Sequence, residues 1–398
     1  MKNKSFLPLL GFEWRKNFLS PWMLVFLALL LVANGWKLQW EYRKEIGQFA
    51  PYQELYNQFY DRWKGPITTE KVQELMTIYG PLKEKADSLS LSSIPGSGTY
   101  TDTESMDYHF FHFNFAEEME YDYLYHNEAL EITEKSWNLT SFYDGIGAAY
   151  PAAESRAFTR IFQGRSIPDF ADTRYIEVLL NHDYSAMLVL LLCLFGLCTM
   201  FVTERESEMY MLQRTSKLGG RATVAAKFLS SVQYVVLVCI LFFGEDFLVL
   251  QLLSGHWEAL SSPLYAIQLF EAGPLGMTIG QFILWSGCMK TLGVLGCGCL
   301  VLLLSCLMRR VLTAFVTGLG GILALVVLQE LCRTRVGLKW FNPMELIMVR
   351  EISFDTAFVN VLGLPVQLYM FVLAGVLLTM AALVLLILHF HPGRRERR

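Results

Sequence analysis

Hydrophobic residues in this 398-residue chain gather into long runs, separated by polar stretches of very unequal length. A helix needs about 20 predominantly apolar residues to cross the hydrocarbon core of a bilayer. Six segments approach that length: 21–36, 185–203, 228–250, 282–307, 311–331 and 368–390. The fourth and fifth are parted only by Met308-Arg309-Arg310, which predicts a tight hairpin. Lys290 interrupts the fourth, so its hydrocarbon part would begin near Thr291. The first run reads as an uncleaved anchor, because its charged leader is long and Ala33-Asn34-Gly35 makes a poor small-residue cleavage site. The pattern predicts an all-α polytopic membrane protein.

The intervening stretches have patterns of their own. Within 5–19, Leu7, Leu10, Trp14 and Phe18 recur at steps of three and four, with Glu13, Arg15, Lys16 and Asn17 off that stripe. This predicts an interfacial helix rather than an extension of the first span, since Ser20-Pro21 favours a bend between them. The segment 37–184 contains no spanning run. Helical spacing at 40–63 and 68–89, an acidic and aromatic helix at 107–137 and a further helix within 144–164 predict a mostly helical domain. Its Pro-Gly-punctuated stretch 88–101 reads as a loop, and no alternation is long enough to argue a sheet.

Charge sharpens this picture. Charged residues make up 18% of the chain, below the roughly 25% of soluble domains. Between Lys37 and Asp183 there are 24 acidic against 13 basic residues, a net of −11, which leaves +7 on the remainder of a chain of net charge −4. Lys2, Lys4, Arg15 and Lys16 precede the first span, and Arg205, Arg214, Lys217, Arg221 and Lys227 lie between the second and third. Arg309 and Arg310 part the fourth and fifth, and Arg394, Arg395, Arg397 and Arg398 follow the sixth. Positive residues stay on the cytoplasmic side. That rule puts 1–20, the loop 204–227 and the tail 391–398 inside, with both termini cytoplasmic, and puts 37–184, 254–280 and 332–367 outside. Arg333, Arg335 and Lys339 are a minor exception. All eight cysteines lie in or beside apolar runs, none in 37–184. An outer domain without disulfides favours a bacterial plasma membrane. In that setting the sequon at Asn138-Leu139-Thr140 reads as chance.

The loop after the second span carries the most functional information. It reads Thr203-Glu-Arg-Glu-Ser-Glu-Met-Tyr-Met-Leu-Gln-Arg-Thr-Ser-Lys-Leu-Gly-Gly-Arg-Ala-Thr-Val-Ala-Ala-Lys227. Acids open a short helical stretch, Gly219-Gly220 stops it, and a second helix begins near Arg221. On physical grounds alone this is either an ordinary basic inner loop or a short helix held between two spans to transmit force from a soluble partner. It resembles the corresponding loop in permease subunits of type-two ATP-binding-cassette (ABC) exporters of Gram-positive type. Glu204 and Glu206 match the family's acids, Leu212, Arg214, Thr215, Ser216 and Lys217 its middle, Gly220-Arg221 its Gly-Arg, and Lys227 the lysine opening the next span. Met209 and Tyr210 depart from it, since the family often has glycine there. The six-span plan, the N-terminal interfacial helix, the large outer domain between spans one and two, and Asn342-Pro343 are also similar. The resemblance implies ATPase coupling through Glu204, Glu206, Leu212, Arg214, Thr215, Lys217, Gly220 and Arg221. Its implied partners are separate ABC ATPase subunits that bind ATP and magnesium, a second permease copy or paralogue, and the lipid bilayer, with no nucleic acid. The implied cargo is an amphipathic peptide, lipid or hydrophobic toxin. No Gly-x-x-x-x-Gly-Lys-Ser/Thr loop is present to cradle phosphates, so the chain itself is expected to carry no cofactor and no ATPase site.

Other constellations are weaker. Glu245-Asp246 interrupts the third run 18 residues after Lys227. At ~1.5 Å per residue that is about 27 Å, nearly the whole core. The pair is therefore expected at the outer boundary, with a substrate or gating role as the alternative, and 247–253 would be a re-entrant or interfacial piece. Cys288, Cys297, Cys299 and Cys306 lack the spacing and extra ligands of a metal site. Glycines in spans four and five allow close packing or a seam between permeases. The run 107–126 holds His109, His112 and His126 among acids and rings. It reads as an amphipathic helix, with a cationic-cargo surface or a metal site as alternatives. The patterns His-Glu-x-x-His and Gly-x-Ser-x-Gly are absent, and no catalytic set stands out, which argues against an enzyme. A second functional class stays open: a membrane-anchored sensor or structural protein working through its acidic outer domain.

Overall fold

A computed structural model describes residues 6–46, 52–88, 103–209, 221–331, 340–354 and 356–390. It is mostly helical, and six helices are long and apolar enough to cross a membrane. These spans are Pro21–Glu45, Tyr184–Glu206, Arg221–Ser254, Ile279–Leu307, Val311–Leu331 and Leu368–Phe390. Together they make the pattern of an all-α polytopic membrane protein.

Local signals set their ends. The Ser20 hydroxyl accepts from the Met23 amide and Pro21 occupies the first turn, so the first span starts where Ser20-Pro21 predicted a bend. Thr278 and Gln281 form a reciprocal capping box at the start of the fourth. At the far ends the structure differs from the sequence reading. The first span does not stop near Trp36 but continues to Glu45. The Lys37–Glu41 pair at 2.9 Å supports this extra length, and Leu38 is buried among Tyr175, Ile176 and Leu250. The third span likewise runs straight through 247–253 to Ser254, with no re-entrant break. Gly255, at φ +72°, ends it.

The second span is the axis of the bundle: 72% of its most apolar window is buried, against 11% for the first span and 17% for the fifth. It packs against spans three, four and five, and span four in turn packs against span six. The predicted hairpin between spans four and five is present, turning through 308–310. The short helix Met344–Ile347 tucks against span four at Gly293, where an added Cβ would stand 2.7 Å from both the Pro343 carbonyl and the Ile347 side chain. Asn342 fixes this segment by donating to the Leu325 carbonyl (2.9 Å) and accepting from the Met344 amide (3.1 Å).

The domain inserted between spans one and two holds helices Gln53–Trp63, Thr69–Ser88, Thr103–Phe111, Glu117–Gly145, Ala149–Phe162 and Arg174–Asn181. Helical structure matches most of the expected segments; of the predicted loop 88–101, Ser88 ends a helix and 89–101 lie outside the described residues. One π-helical turn, His112–Ala116, joins the third and fourth of these helices. The core is aromatic: Tyr56, Tyr60, Trp63, Tyr79, Phe111, Phe115 and Phe170 pack in one cluster. Gly65–Pro66 pairs with Asp169–Phe170 in a two-residue antiparallel ladder. The domain also grips the connection between spans three and four: the Tyr121 and Tyr125 hydroxyls donate to the carbonyls of Tyr265 (2.7 Å) and Glu271 (3.1 Å), and Arg165 donates to that of Gly273 (2.9 Å). A β-hairpin that the sequence reading did not anticipate, Phe358–Val361 with Leu364–Gln367, precedes span six. It meets the domain through a Phe158–Phe358 ring contact.

Candidate functional site

At the end of the bundle away from the inserted domain, the second span finishes at Glu206 and Glu208 turns the chain into the left-handed region at φ 57°. The third span resumes at Arg221. Leu212, Arg214, Thr215, Ser216, Lys217 and Gly220 lie outside the described residues. The two roots of the segment are well defined. Glu204 Oε1 sits 2.7 Å from Lys227 Nζ and 2.9 Å from Lys16 Nζ. The Lys227 ammonium also donates to the Met200 carbonyl at 2.5 Å. Lys227 is 1% exposed, so its amino group is sealed inside the bundle with Glu204 as its principal counter-charge.

The N-terminal helix Phe6–Asn17 completes this knot. The predicted stripe is followed only in part: Phe18 is buried and stacks on Tyr234 with centroids 4.0 Å apart, and the Trp14 indole donates to Gln233 (2.8 Å), but Leu7 stays exposed. Glu13, placed off the stripe by the sequence pattern, is the buried residue of the helix and faces Lys227 and Lys16. Burial pushes its carboxyl up, and the two lysine charges oppose that shift. Glu206 is exposed and caps the fifth span by accepting from the Val311 amide at 3.1 Å. Arg205 donates to the Met308 carbonyl at 3.1 Å. One turn of the second span therefore holds the N-terminal helix, span three and the start of span five. Sequence reasoning singled out Glu204, Glu206 and Lys227 but not Lys16 or Glu13. The usable signal was a lone lysine, Lys227, enclosed by Ala225-Ala226 and Phe228-Leu229, which had to find a carboxylate on another element.

At the domain end, Glu245 and Asp246 are brought together with residues that sequence reasoning missed. Asn34 of span one donates to Asp246 Oδ1 (2.6 Å) and to Glu245 Oε2 (3.2 Å). His182 contacts Asn34 Oδ1 through Nε2 (3.2 Å) and Glu41 Oε2 through Nδ1 (2.5 Å). Arg350 clasps the Leu180 carbonyl (3.0 Å), Asn181 (2.6 Å) and Asp183 (3.0 Å). The Lys290 ammonium lies over the Phe243 ring at 5.6 Å, with Asp183 and Asp246 as the nearest acidic charges acting on it. Spans one and three, and the turn that leads into span two, are thus laced at this end by one polar chain. Asn34 and His182, polar residues at the margins of apolar runs, were the overlooked signal.

The inserted domain contains a third polar cluster. Asp172 is bridged by Arg174 (2.9 Å) and by the Tyr56 hydroxyl, while Arg174 also reaches Asn114. Glu118 accepts from the Thr173 hydroxyl at 2.8 Å and the Thr173 amide at 3.1 Å. Burial works against the Asp172 charge, but the Arg174 guanidinium outweighs it and holds the carboxyl below its usual range. Burial, with the Asp172 charge beside it, pushes Glu118 up to about 7. In the histidine-rich run, the Tyr79 hydroxyl pairs with His112 Nδ1 at 2.9 Å, and His109 stacks on Phe113. Among the described residues no group of three or more His, Cys, Asp or Glu side chains is arranged to hold a metal, and the seven described cysteines are free thiols.

No known family model matches the chain, and no curated protein matches it.

Proposed function

We propose that this chain is the membrane permease subunit of a type-two ABC exporter. In this reading a separate ATPase subunit binds ATP and magnesium, and the 207–220 segment docks on it from the cytoplasm. The basic end of the bundle faces inward, the N-terminal helix lies against the inner leaflet, and the acidic inserted domain stands outside the plasma membrane of a bacterium. Two such subunits, identical or paralogous, match two ATPase sites, and the cargo is amphipathic.

The observation that carries the reading is the lock at both roots of the 207–220 segment. Glu204 ties the end of span two to the start of span three through Lys227 and to the N-terminal helix through Lys16. Glu206 adds the start of span five. A displacement of that segment is therefore passed to three spans and one surface helix at once, as a coupling element requires.

The test is co-purification. The full chain, expressed with its neighbouring genes and extracted gently, is expected to bring down a nucleotide-binding subunit and to show ATPase activity. Arg214→Glu with Lys217→Glu is expected to abolish both while leaving thermal unfolding unchanged. Failure to recover any nucleotide-binding chain under conditions that preserve complexes would refute the proposal.

A further inference from the structure

The longest helix of the inserted domain, Glu117–Gly145, turns back into Ala149–Phe162, and the two pack as one helical arm. A single stripe of the longer helix seats this arm on the bundle. Tyr121 and Tyr125, one turn apart, donate to the Tyr265 and Glu271 carbonyls in the connection between spans three and four. Steps of three and four carry the same face onward through 128, 132 and 135 to Leu139, Phe142 and, at the C-cap, Ile146. At ~1.5 Å per residue, Leu139 stands about 27 Å beyond Tyr121. There the described residues no longer cover the stripe: Phe142 is 59% exposed, Ile146 62%, and Leu139 is exposed too. An apolar continuation of a seated face, left bare at its end, marks contact with something outside the chain.

Two observations identify the occupant as lipid. The first is level. Phe158, on the returning helix of the arm, meets Phe358 with ring centroids 5.2 Å apart. Phe358 pairs with Gln367, the residue before span six begins at Leu368. That hairpin is uncharged like the span it feeds, with no Asp, Glu, Lys or Arg from 356 to 388. The arm therefore lies across the end of the bundle, at the height where span six enters its apolar run, and its tip overhangs the rim. The second is charge. The tip, 136–153, holds one charged residue, Asp144, within a stretch from 37 to 183 of net −11, and Arg156 pairs with that aspartate at 3.3 Å. A tip surrounded by water would have no reason to shed the charges of its domain; one resting on a bilayer does. Lys135, where the stripe nears the rim, has the length to reach a phosphate layer.

We propose that the arm is a membrane-surface anchor. Leu139, Phe142 and Ile146 enter the headgroup–acyl boundary of the leaflet on the domain side, beside the start of span six, while Trp137, on the opposite face of the helix, stays in water. Through Tyr121 and Tyr125 the anchor fixes the connection of spans three and four at a set height over the bilayer. It goes beyond the exporter reading and holds for either orientation of the chain.

The test uses the full chain, in a cysteine-free background, in phosphatidylcholine nanodiscs loaded with one chain each. Leu139→Cys, Phe142→Cys, Ile146→Cys and Trp137→Cys are labelled separately with a nitrobenzoxadiazole fluorophore, with and without phosphatidylcholine that carries a nitroxide near its headgroup. An interfacial helix buries its apolar face ~5–10 Å into the boundary, so quenching at Phe142→Cys and Ile146→Cys should be at least ~2-fold stronger than at Trp137→Cys. Phe142→Asp with Ile146→Asp should remove most of the quenching at Leu139→Cys and leave the far-ultraviolet circular dichroism unchanged, which separates lost anchoring from lost folding. The proposal is overturned if all these positions are quenched alike, or if the aspartates leave the quenching at Leu139→Cys intact. It is equally overturned if the Phe142→Cys label escapes the lipid nitroxide and is shielded only in discs holding two chains, which would make the stripe a seam between copies. None of these outcomes bears on whether an ATPase co-purifies.

Discussion

Replacing Glu204 by alanine would strand the Lys227 ammonium inside the bundle. The side chain of Lys227 is 1% exposed, that of Glu204 8% and that of Lys16 28%. In Glu204→Ala the Met200 carbonyl remains as a partner of Lys227, and Glu13 offers only a carboxyl that burial already pushes toward protonation. Removing one member of a buried charged pair costs about 3–5 kcal/mol, because the other is left uncompensated. The Lys16 arm is partly solvated, and its removal by Lys16→Ala should cost ~1 kcal/mol or less. Lys227→Met keeps the volume and removes the charge, while Glu204 retains Lys16, so its cost should fall between the two. The deciding comparison is the double variant Glu204→Leu, Lys227→Met. It removes both buried charges and should recover at least ~2 kcal/mol of the Glu204→Ala loss. The assay is reversible unfolding in mixed detergent micelles, followed by far-ultraviolet circular dichroism. If Lys16→Ala costs as much as Glu204→Ala, or the double variant is no more stable than the single, the buried ammonium is not what the knot protects, and the reasoning fails.

Three further outcomes are expected. In the inserted domain, the Glu118 carboxyl sits at about 7 against an ordinary 4.5, so the folded state holds a proton that the unfolded chain has lost. Stability from this group is full below pH 4.5 and drains away as pH rises to about 7, by up to ~3 kcal/mol; melting temperatures measured across that range should fall in the parent and fall less steeply in Glu118→Gln, where the buried Asp122 and Glu177 carboxyls still titrate. At the sixth span, a Cβ on Gly375 would lie 1.9 Å from the Trp340 carbonyl oxygen, so Gly375→Ala should displace the helix and cost ~2 kcal/mol or more, read as a lower melting temperature with Thr379→Ala as the mild control. For orientation, a cysteine at the exposed Trp137 in a cysteine-free background should react with a membrane-impermeant maleimide on intact cells, and one at Ser216 only after permeabilisation; equal labelling of both would reverse or abolish the proposed topology.

Much of the architecture was readable from the chain because a bilayer-length helix is specified by local composition alone. The runs at 311–331 and 368–390 coincide with the helices Val311–Leu331 and Leu368–Phe390, and the Met308-Arg309-Arg310 break became the expected turn. Helix ends beyond the apolar layer were not readable. Span one continues from Trp36 to Glu45 because Leu38 finds a buried seat against Tyr175, Ile176 and Leu250, and that seat is built by residues more than a hundred positions away. The same holds for span three, where 247–253 stays helical by packing on the inserted domain.

The candidate site divides along the same line. Sequence by itself determined which charges lie in apolar surroundings, Lys227, Glu245, Asp246 and Lys290 among them, since a run of neighbours is enough to mark the environment. Only the tertiary structure decided their partners: Glu204, Lys16 and Glu13 around Lys227, and Asn34 and His182 around Asp246. Burial of a charge is a property of the local stretch, whereas its compensation comes from whichever distant helix presents a complementary group at hydrogen-bond distance. That depends on helix rotation and register, which hydrophobicity alone leaves free.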